Sequence, residues 1–465
     1  LNGFGIGRGD RVAIVLPNGP EMAAAFTAIA CATTTAPLNP AYREEEFEFY
    51  LDDLMAKALV VEADSASPSI AAAAKLGIPV IRLEVAEGAS AGEFTLNAEG
   101  MAGTPAQGGF AGADDIGLIL HTSGTTSRPK IVPLSQRNLA ASARNIRATL
   151  SLTPQDRCLN IMPLFHIHGL IAAVLTSLAA DASIYCTPGF NALRVFGWMA
   201  AAKPTWYSAV PTMHQAILAR ASRNTETVQN AGLRFIRSSS SSLPPQVMAE
   251  LEDAFGCPVV EAYGMTEATH QMACNPLPPA VRKPGTVGIA AGPEIGIMTE
   301  TGELLPPGEV GEIVIRGDNV TAGYENNDAA NAEAFTEGWF RTGDQGFLDG
   351  EGYLSITGRL KEIINRGGEK ISPREVDEVL MDHAAVQQVV TFASPHELVG
   401  EDVGVVIVLR EGEEAAEKDI KTFARQHLAD FKVPRTILFM DEIPKGATGK
   451  LQRIGLAEKL GLAEK

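Results

Sequence analysis

The chain has 465 residues, 45% of them hydrophobic and 20% charged, so we expect two or more domains and a folded rather than a disordered chain. Its net charge of −18 argues against nucleic acid or an anionic membrane surface as the main partner. The five cysteines are scattered without a CxxC pair, which indicates neither a zinc knuckle nor a disulfide scaffold and favours a reducing, cytoplasmic compartment.

The first half of the chain alternates strand-like apolar runs with Ala-rich helical patterns. It opens at Leu1 in a loop-like stretch, which we interpret as a domain edge that lacks an N-terminal segment. This alternation predicts mostly parallel sheets covered by helices. The longest apolar run, residues 169–180, is shorter than the roughly 18 residues of a membrane span, so we predict a buried helix there and no integral membrane association. A further helix is predicted at residues 20–31, and strands at residues 10–16, 33–38, 58–61, 80–82, 183–186, 206–209, 235–238 and 259–262.

The pattern changes near residue 294, where short β pieces are separated by Gly, Pro and Asp turns. Beyond Gly358 a new α+β pattern begins, and Ser372-Pro-Arg-Glu matches a capping box that opens a helix over residues 374–383. Residues 358–465 hold 16 Lys+Arg and 19 Asp+Glu, a balance of −3 that leaves −15 for residues 1–357. We therefore predict an α/β fold: a large N-terminal domain (1–357) with two α/β subdomains and a small β-barrel-like subdomain, followed by a smaller α+β unit at the C-terminus.

The strongest local pattern is IGLILHTSGTTSRPK at residues 116–130, an apolar strand that runs into hydroxyl residues and ends at Pro-Lys. Gly124 lets the backbone approach a phosphate, and Lys130 supplies positive charge. Ser135 then caps a predicted helix over residues 136–150. The pattern is not GxxxxGK[ST], so an ordinary P-loop NTPase is not implied. The hydroxyl donors of this phosphate loop are Thr122, Ser123, Thr125 and Thr126.

TSGTTSRPK resembles the phosphate loop of the adenylate-forming superfamily, which includes acyl-CoA synthetases, nonribosomal-peptide adenylation domains and luciferases. Ser127 departs from the second Gly that is usual in this loop. The likeness spans essentially the whole chain and implies a ligase that uses ATP and Mg²⁺ to join a small carboxylic acid to AMP, releases pyrophosphate and passes the acyl group to CoA. Its other motifs follow in the family's order: PLFHIHG (163–169), EAYGMTE (261–267), WFRTGD (339–344), GRLKEII (358–364) and PKGATGK (444–450).

The resemblance also implies roles in the first half-reaction, which depends on positioning and electrostatic stabilisation. Residues 122–130 hold the β- and γ-phosphates, and Glu267, next to Thr266, ligates Mg²⁺, which prefers carboxylate oxygen. Tyr263 packs on the adenine beside Gly264. Asp344 binds the ribose hydroxyls with help from Arg359, and Lys450 neutralises the reacting carboxylate and the α-phosphate.

For the second half-reaction, the family rotates its C-terminal domain and opens a thiol tunnel. The resemblance therefore implies a hinge at residues 358–361 and a mobile C-terminal domain at residues 362–465. Lys361 matches the hinge position, where few residues absorb the change in backbone angles. Gly367 and Gly368 allow a close approach to the CoA arm. His166 matches the gate between the acyl pocket and the tunnel.

The predicted acyl pocket is unusually polar. Where the family has small apolar residues, this chain has a run of five serines at residues 238–242, and hydroxyls there disfavour a fatty tail. His214 and His270 fall in segments that commonly line the same pocket. These features most resemble oxalyl-CoA synthetases, with Ser238, Ser239, Ser240, His214 and His270 as pocket residues. For malonate an Arg would be expected against the distal carboxylate, and Arg237 is either that partner or a strand-end charge.

Several alternatives to an oxalate–CoA ligase remain open from the sequence. The acid is malonate, another short or medium-chain acid, or an aryl acid, or the protein is a freestanding adenylation enzyme that serves a carrier protein. A non-catalytic acyl sensor and a luciferase-like oxygenase are disfavoured by the retained Lys450 and by the polar pocket. A lysine acetyltransferase that acts on Lys450 would remove the charge needed for adenylation.

Overall fold

The first β-sheet is built by the N-terminal part of the chain in the computed structural model, which describes residues 1–122, 129–444 and 452–462. Its strands are β1 (Arg11–Val15), β2 (Thr34–Pro37), β3 (Ala58–Glu62), β4 (Val80–Glu84), β5 (Thr95–Asn97), β6 (Ile116–Thr122) and β7 (Lys130–Ser135), in the order β5-β4-β3-β1-β2-β6-β7. The inner strands are parallel, whereas β5 and β7 pair antiparallel at the two edges. Four helices accompany the sheet: α1 (Pro20–Ala30), α2 (Glu44–Asp53), α3 (Pro68–Lys75) and α4 (Gln136–Thr149).

The second sheet repeats this design. It contains β8 (Arg157–Asn160), β9 (Ser183–Cys186), β10 (Trp206–Ala209), β11 (Phe235–Ser239), β12 (Val259–Met265), β13 (His270–Cys274) and β14 (Ile289–Ala290), in the order β14-β13-β12-β11-β10-β8-β9. Only the β12–β13 and β13–β14 pairs are antiparallel. Its helices are α5 (Thr176–Ala179), α6 (Val195–Ala202), α7 (Pro211–Ala221), α8 (Thr225–Gln229) and α9 (Pro245–Phe255), preceded by a π-helical segment (His168–Leu175).

The third and fourth sheets follow in sequence. The third is antiparallel and contains β15 (Glu294–Met298), β16 (Gly311–Arg316), β17 (Phe335–Thr336), β18 (Trp339–Leu348) and β19 (Leu354–Arg359), with α10 (Asp328–Ala334). The fourth contains β20 (Ile364–Arg366), β21 (Glu369–Ile371), β22 (Val386–His396), β23 (Gly400–Leu409) and β24 (Thr436–Phe439). It is accompanied by α11 (Pro373–Met381), α12 (Glu417–His427) and α13 (Leu456–Lys459), and short 3-10 turns occur at Ser222–Asn224, Thr266–Ala268, Leu360–Glu362 and Asp430–Lys432.

One continuous hydrophobic core joins the first three sheets. Phe26 of α1, Leu118 of β6, Leu170 of the π-helical segment and Val260 of β12 all belong to it, together with Ile313 of β16. The motif segments at residues 116–122, 163–169, 261–267 and 339–344 therefore all pack on the same hydrophobic core. Rigid elements of this kind can hold polar side chains at defined positions above the core.

The predicted fold class is confirmed, because large mixed α/β sheets are followed by a smaller C-terminal α+β unit. The predicted helix over residues 169–180 begins instead as a π-helix, and Gly169 approaches Pro163 so closely that a Cβ would lie 2.3 Å from its carbonyl oxygen. Ser372 caps α11 by accepting from the Glu375 N–H, so this helix starts at Pro373. No helix within the described ranges has the length and apolar composition to span a bilayer. The boundary at residues 357/358 and the hinge stay predictions.

Candidate active site

The first functional cluster joins the end of the phosphate-loop hairpin to Glu267. Lys130 opens β7 opposite Thr122, and its Nζ lies 4.3 Å from the ring centroid of Tyr324. The Tyr324 hydroxyl donates to Glu267 Oε1 at 2.9 Å. Burial raises the pKa of Glu267, while this hydrogen bond and the charges of Arg359 and Lys130 oppose the rise. Two residues predicted from motifs thus meet through a tyrosine that the motif interpretation did not include.

The second cluster links the second and third sheets through Asp344. Arg359 faces Asp344 in the β18–β19 register and donates from Nε to Asp344 Oδ1 at 2.7 Å. The Tyr263 hydroxyl donates to the other oxygen, Asp344 Oδ2. Attraction to Asp344 raises the pKa of Arg359, and burial raises the pKa of Tyr263 well above its ordinary value. The arrangement offers an aromatic ring beside a charged hydrogen-bonding pair, a combination suited to a nucleoside.

Gly264 and Thr266 shape the turn between these clusters. The β12–β13 register shifts at Gly264, where an added Cβ would lie 2.1 Å from the carbonyl oxygen of His270. This position therefore requires glycine. Thr266 begins the single 3-10 turn that carries Glu267, and its carbonyl accepts from the Thr269 N–H at 2.9 Å.

A cluster of buried polar side chains, called the acid pocket after its predicted role, is centred on His168, which is fully buried. Its Nε2 lies 2.6 Å from Ser208 Oγ, and its Nδ1 lies 3.0 Å from Ser240 Oγ. The ring also meets His270 edge to face, with centroids 5.0 Å apart. Two of the predicted pocket residues, Ser240 and His270, are therefore brought together around a histidine of the π-helical segment.

Arg237 supplies the positive charge of this pocket. It is fully buried on β11, with Nη1 donating to Ser208 Oγ at 3.3 Å and Nη2 donating to Gln271 Oε1 at 3.2 Å. Nη2 also lies 3.5 Å from His270 Nδ1, and Nε has no hydrogen-bond partner in the described part of the chain. Burial lowers the pKa of Arg237 to about 10, so the guanidinium is charged at neutral pH. These partners are all neutral or histidine groups, which leaves a buried cation without a carboxylate.

The remaining predicted pocket residues lie elsewhere around the second sheet. Ser238 pairs with Glu261 in the β11–β12 register, and strand alternation directs it away from the face of Arg237. Ser239 Oγ donates to the Ala262 carbonyl at 2.8 Å. His214 contacts Tyr207, with ring centroids 5.6 Å apart, and burial lowers the pKa of His214 to about 3. Tyr207 precedes Ser208 on β10, so His214 lies on the opposite face from the pocket.

The residues predicted for the second half-reaction are separated from this pocket to different degrees. His166 is close, because its Nδ1 accepts from the His168 N–H at 3.3 Å. Lys361 is exposed in the 3-10 turn Leu360–Glu362. Gly367 and Gly368 form the exposed tip of the β20–β21 hairpin, with φ of 59° and 101°. The predicted residues outside the described ranges are Ser123, Gly124, Thr125, Thr126 and Lys450.

Glu267 fits Mg²⁺ bound together with a nucleotide. In the described ranges, no three His, Cys, Asp or Glu side chains converge in a way that could hold a metal without other ligands. Mg²⁺ is commonly held by one or two carboxylates plus substrate phosphates and water. A single buried carboxylate near Lys130 matches that chemistry, and Mg²⁺ would supply neutralisation of phosphate charge there.

Four contributors to these clusters were not assigned from the sequence: His168, Ser208, Gln271 and Tyr324. His168 carried one signal, since it follows His166 by two residues in a motif. Ser208 and Gln271 carried none, because only strand pairing brings them to Arg237. The same applies to Tyr324, which lies 57 residues from Glu267 along the chain.

Comparison with known proteins gives matches over nearly the whole of this chain. Residues 1–325 match the family profile described as AMP-binding enzyme, and residues 375–450 match the AMP-binding enzyme C-terminal domain. An oxalate–CoA ligase of Arabidopsis thaliana is 47% identical over 453 residues, 97% of this chain and 88% of that protein. An oxalate–CoA ligase of Saccharomyces cerevisiae is 43% identical over 475 residues, 97% of this chain and 87% of that protein. ATP-bound MatB from Rhodopseudomonas palustris has a TM-score of 0.87 at 31% identity, covering 98% of this chain and 90% of that one.

Proposed function

Since the chain belongs to the AMP-binding enzyme family, we propose that it is an ATP- and Mg²⁺-dependent acid–CoA ligase whose acid is oxalate. The observation that carries the choice of a short dicarboxylic acid is the buried guanidinium of Arg237, whose hydrogen-bond partners are Ser208 and Gln271. Oxalate has two carboxylates, so one can react while the other pairs with this cation. Malonate would pair with the same cation, so the choice of oxalate over malonate rests on the similarity to two oxalate–CoA ligases.

The polarity of the pocket disfavours longer acids. An alkyl chain placed against Arg237 and His168 would bury their polar atoms without partners, which costs free energy. Malonate differs from oxalate by one methylene, a difference that pockets discriminate by only about 1–3 kcal/mol. Malonate is therefore the competitor that separates a well-fitted oxalate pocket from a generally polar one.

In the first half-reaction, an oxygen of the reacting carboxylate attacks the α-phosphorus of ATP. The bond to the β-phosphate oxygen breaks, and acyl-adenylate and pyrophosphate form. Tyr263 and Gly264 flank the adenine, and Asp344 with Arg359 binds the ribose. Lys450 neutralises the two reacting anions, and Thr266 supports Glu267 as the Mg²⁺ ligand. The triphosphate is held by Thr122, Ser123, Gly124, Thr125, Thr126 and Lys130.

In the second half-reaction, the thiol of CoA attacks the acyl carbonyl and AMP leaves. His166 borders the acid pocket through its contact with His168 and suits a gate between that pocket and the thiol tunnel. Lys361 serves as the hinge about which residues 362–465 rotate. Gly367 and Gly368 then approach the CoA arm, since neither carries a side chain that would obstruct it.

The direct test measures ATP–pyrophosphate exchange and CoA-thioester formation with oxalate, malonate, acetate, hexanoate and 4-coumarate. Oxalate should lead in both assays, with acetate far behind because it has no second carboxylate for Arg237. Equal rates for acetate and oxalate would refute the role of the buried cation. Pyrophosphate exchange with oxalate but no thioester from CoA would instead favour delivery to a carrier protein.

We further propose that modification of Lys450 regulates the enzyme. Acetylation of Lys450 by a lysine acetyltransferase should abolish adenylation, because it removes the charge that the step needs. Site-specific incorporation of acetyl-lysine followed by pyrophosphate exchange tests this, and a full exchange rate would refute it.

A cytoplasmic location suits the five free cysteines, and fractionation of cells that make the protein tests it.

A further inference from the structure

We propose that Tyr324 is a positioning residue that fixes Glu267 for the metal–nucleotide complex while it separates Glu267 from Lys130. This inference rests on the proposed use of Mg²⁺–ATP but not on the identity of the acid. Tyr324 meets both charged residues, through its hydroxyl and through its ring face. It is 8% exposed, so these contacts are made inside the site.

The strap that carries Tyr324, residues 319–325, is fastened to the backbone on both sides of the site. The Thr321 N–H donates to the Glu267 carbonyl at 2.7 Å, and the Thr321 hydroxyl donates to the Pro133 carbonyl at 2.8 Å. The Glu325 N–H donates to the Ile131 carbonyl at 3.1 Å. The strap therefore sets the distance between β7, which begins at Lys130, and the turn of Glu267.

The backbone of Tyr324 is itself held by a reciprocal pair of hydrogen bonds. Its N–H donates to Asn331 Oδ1 at 2.7 Å, and its carbonyl accepts from Asn331 Nδ2 at 2.8 Å. Gly323 precedes it at φ 144°, and an added Cβ would lie 2.9 Å from Asn331 Oδ1. Such fixation is what a side chain needs if it is to orient a second residue rather than fill space.

The two contacts of Tyr324 keep opposite charges apart. Lys130 and Glu267 are both described, yet they form no ion pair with each other; the cation lies over the aromatic face and the carboxylate accepts from the hydroxyl. Cation–π attraction holds an ammonium without neutralising it. Lys130 thus stays available to phosphate, and Glu267 keeps a defined orientation toward a metal.

The test separates the hydroxyl from the ring. Tyr324→Phe keeps the ring under Lys130 but removes the donor to Glu267, whereas Tyr324→Leu removes both. Mn²⁺ binding in the presence of ATP, followed by electron paramagnetic resonance, reports the metal directly, and calorimetry without metal reports ATP alone. Tyr324→Phe should weaken Mn²⁺ binding about 10-fold, the size of one hydrogen bond to a charged group, and leave metal-free ATP binding unchanged. Tyr324→Leu should weaken both.

Tyr353→Phe is the matched control. Tyr353 also lies under a lysine, with Lys283 Nζ 4.2 Å from its ring centroid, and its hydroxyl donates to the Val281 carbonyl at 2.6 Å. Its loss should leave Mn²⁺ binding unchanged. If Tyr324→Phe affects Mn²⁺ binding no more than Tyr353→Phe does, the proposal is wrong.

Asn331→Ala serves as a second variant, and oxalyl-CoA formation by the wild-type enzyme separates this inference from the choice of acid. If Tyr324→Phe does not fold, Asn331→Ala should weaken Mn²⁺ binding through the loosened Tyr324, and an unchanged affinity would refute the proposal. If Tyr324→Phe weakens Mn²⁺ binding but the wild-type enzyme makes no oxalyl-CoA, this inference stands and the choice of acid is wrong. If the wild-type enzyme makes oxalyl-CoA but Tyr324→Phe leaves Mn²⁺ binding unchanged, the choice of acid stands and this inference is wrong.

Discussion

The predicted nucleotide side of the site and the predicted acid pocket balance their buried charges differently. Asp344 is paired with Arg359 at 2.7 Å and accepts from Tyr263, and Glu267 accepts from Tyr324. Arg237 is equally buried, yet it forms no ion pair with any described carboxylate. The charges of the predicted nucleotide side are thus paired within the protein, whereas the predicted acid pocket leaves one charge without a counterion among the described residues.

This difference in charge pairing suits the two regions to different tasks, the binding of a common ligand and the selection of a particular one. A paired and hydrogen-bonded cluster is rigid and suits a ligand that every member of a family shares. A buried unpaired charge costs stability, and a ligand of opposite charge offsets that cost, which makes the cost itself a source of specificity. The following substitutions test the contrast.

The largest effect is expected from Arg237→Met. Removing one partner of a buried charge pair costs about 3–5 kcal/mol, so kcat/KM for oxalate should fall by about 10²–10⁴-fold. The free protein should not lose stability, because an apolar side chain of similar volume replaces a buried charge. Steady-state kinetics and thermal unfolding measure the two quantities. Arg234→Met is the control, since Arg234 is paired with Asp156 at 2.9 Å; equal loss of oxalate turnover in both variants would contradict the contrast.

Asp344→Asn should act on the nucleotide side alone. The change removes the partner of Arg359, and hydrogen bonds to charged groups are worth about 1.5–3 kcal/mol, so KM for ATP should rise about 10–150-fold. KM for oxalate should change little. The control is Asp349→Asn, which breaks the ion pair with Lys283 at 2.6 Å just after the end of β18 and should leave both constants unchanged. A parallel rise in the oxalate constant would mean that the two regions are not independent.

Glu261 extends the comparison to the other face of the second sheet, where burial raises its pKa to about 7. Leu243 N–H lies 3.4 Å from Oε1, and Arg374 and Glu378 of α11 act on it with opposite signs. Because the folded-state pKa is raised, the folded protein binds more protons than the unfolded chain between pH 4.5 and 7. The stability that Glu261 contributes is therefore present at low pH and lost as the pH rises through about 7.

Glu261→Gln should abolish this pH dependence. Between pH 5 and pH 8 the wild type should lose about 1–3 kcal/mol more unfolding free energy than the variant does. Urea unfolding at the two pH values measures the difference. Identical pH profiles for the two proteins would show that Glu261 is ionised in the folded protein at both pH values.

The smallest effect is expected from Ser208→Ala. Ser208 Oγ touches both His168 and Arg237, and loss of one neutral hydrogen-bonding group costs about 1 kcal/mol. kcat/KM for oxalate should fall about 5-fold, and the preference for oxalate over malonate should narrow. Ser183→Ala removes a hydroxyl that bonds Arg157 at 3.0 Å on an exposed strand and serves as the control. An unchanged preference would place Ser208 outside the acid pocket.

The two regions also differed in how far the sequence foretold them. Tyr263, Asp344 and Arg359 sit in ordered motifs, so the motif pattern alone assigned them to one site, and the structure brings their side chains into contact. The pocket depends on strand register, since Ser208 meets Arg237 because β10 and β11 pair at that position. A single sequence does not contain that register.

The alternation of side chains along a strand explains why a predicted pocket residue lies outside the observed pocket. Arg237 and Ser238 are neighbours in the chain, but alternation places their side chains on opposite faces of the sheet. Most of the helix and strand bounds predicted from periodicity lie within a few residues of the observed ones, although helices such as α2 and α3 were not predicted. The 169–180 helix is an exception, because the close approach of Gly169 to Pro163 lies beyond local sequence rules. Tyr324 shows the same limit, since its role depends on a strap that arrives from a distant part of the chain.

The pairing of β10 with β11 also has an evolutionary consequence. Ser208, Arg237 and Gln271 occupy three strands of one sheet, and none of them touches Asp344, Arg359 or Lys130 in the described structure. If these three residues bind the acid as proposed, substitutions on these strands would change the acid preference and leave the predicted nucleotide contacts in place. The substrate acid could then change during evolution through successive substitutions, each of which retains a working enzyme.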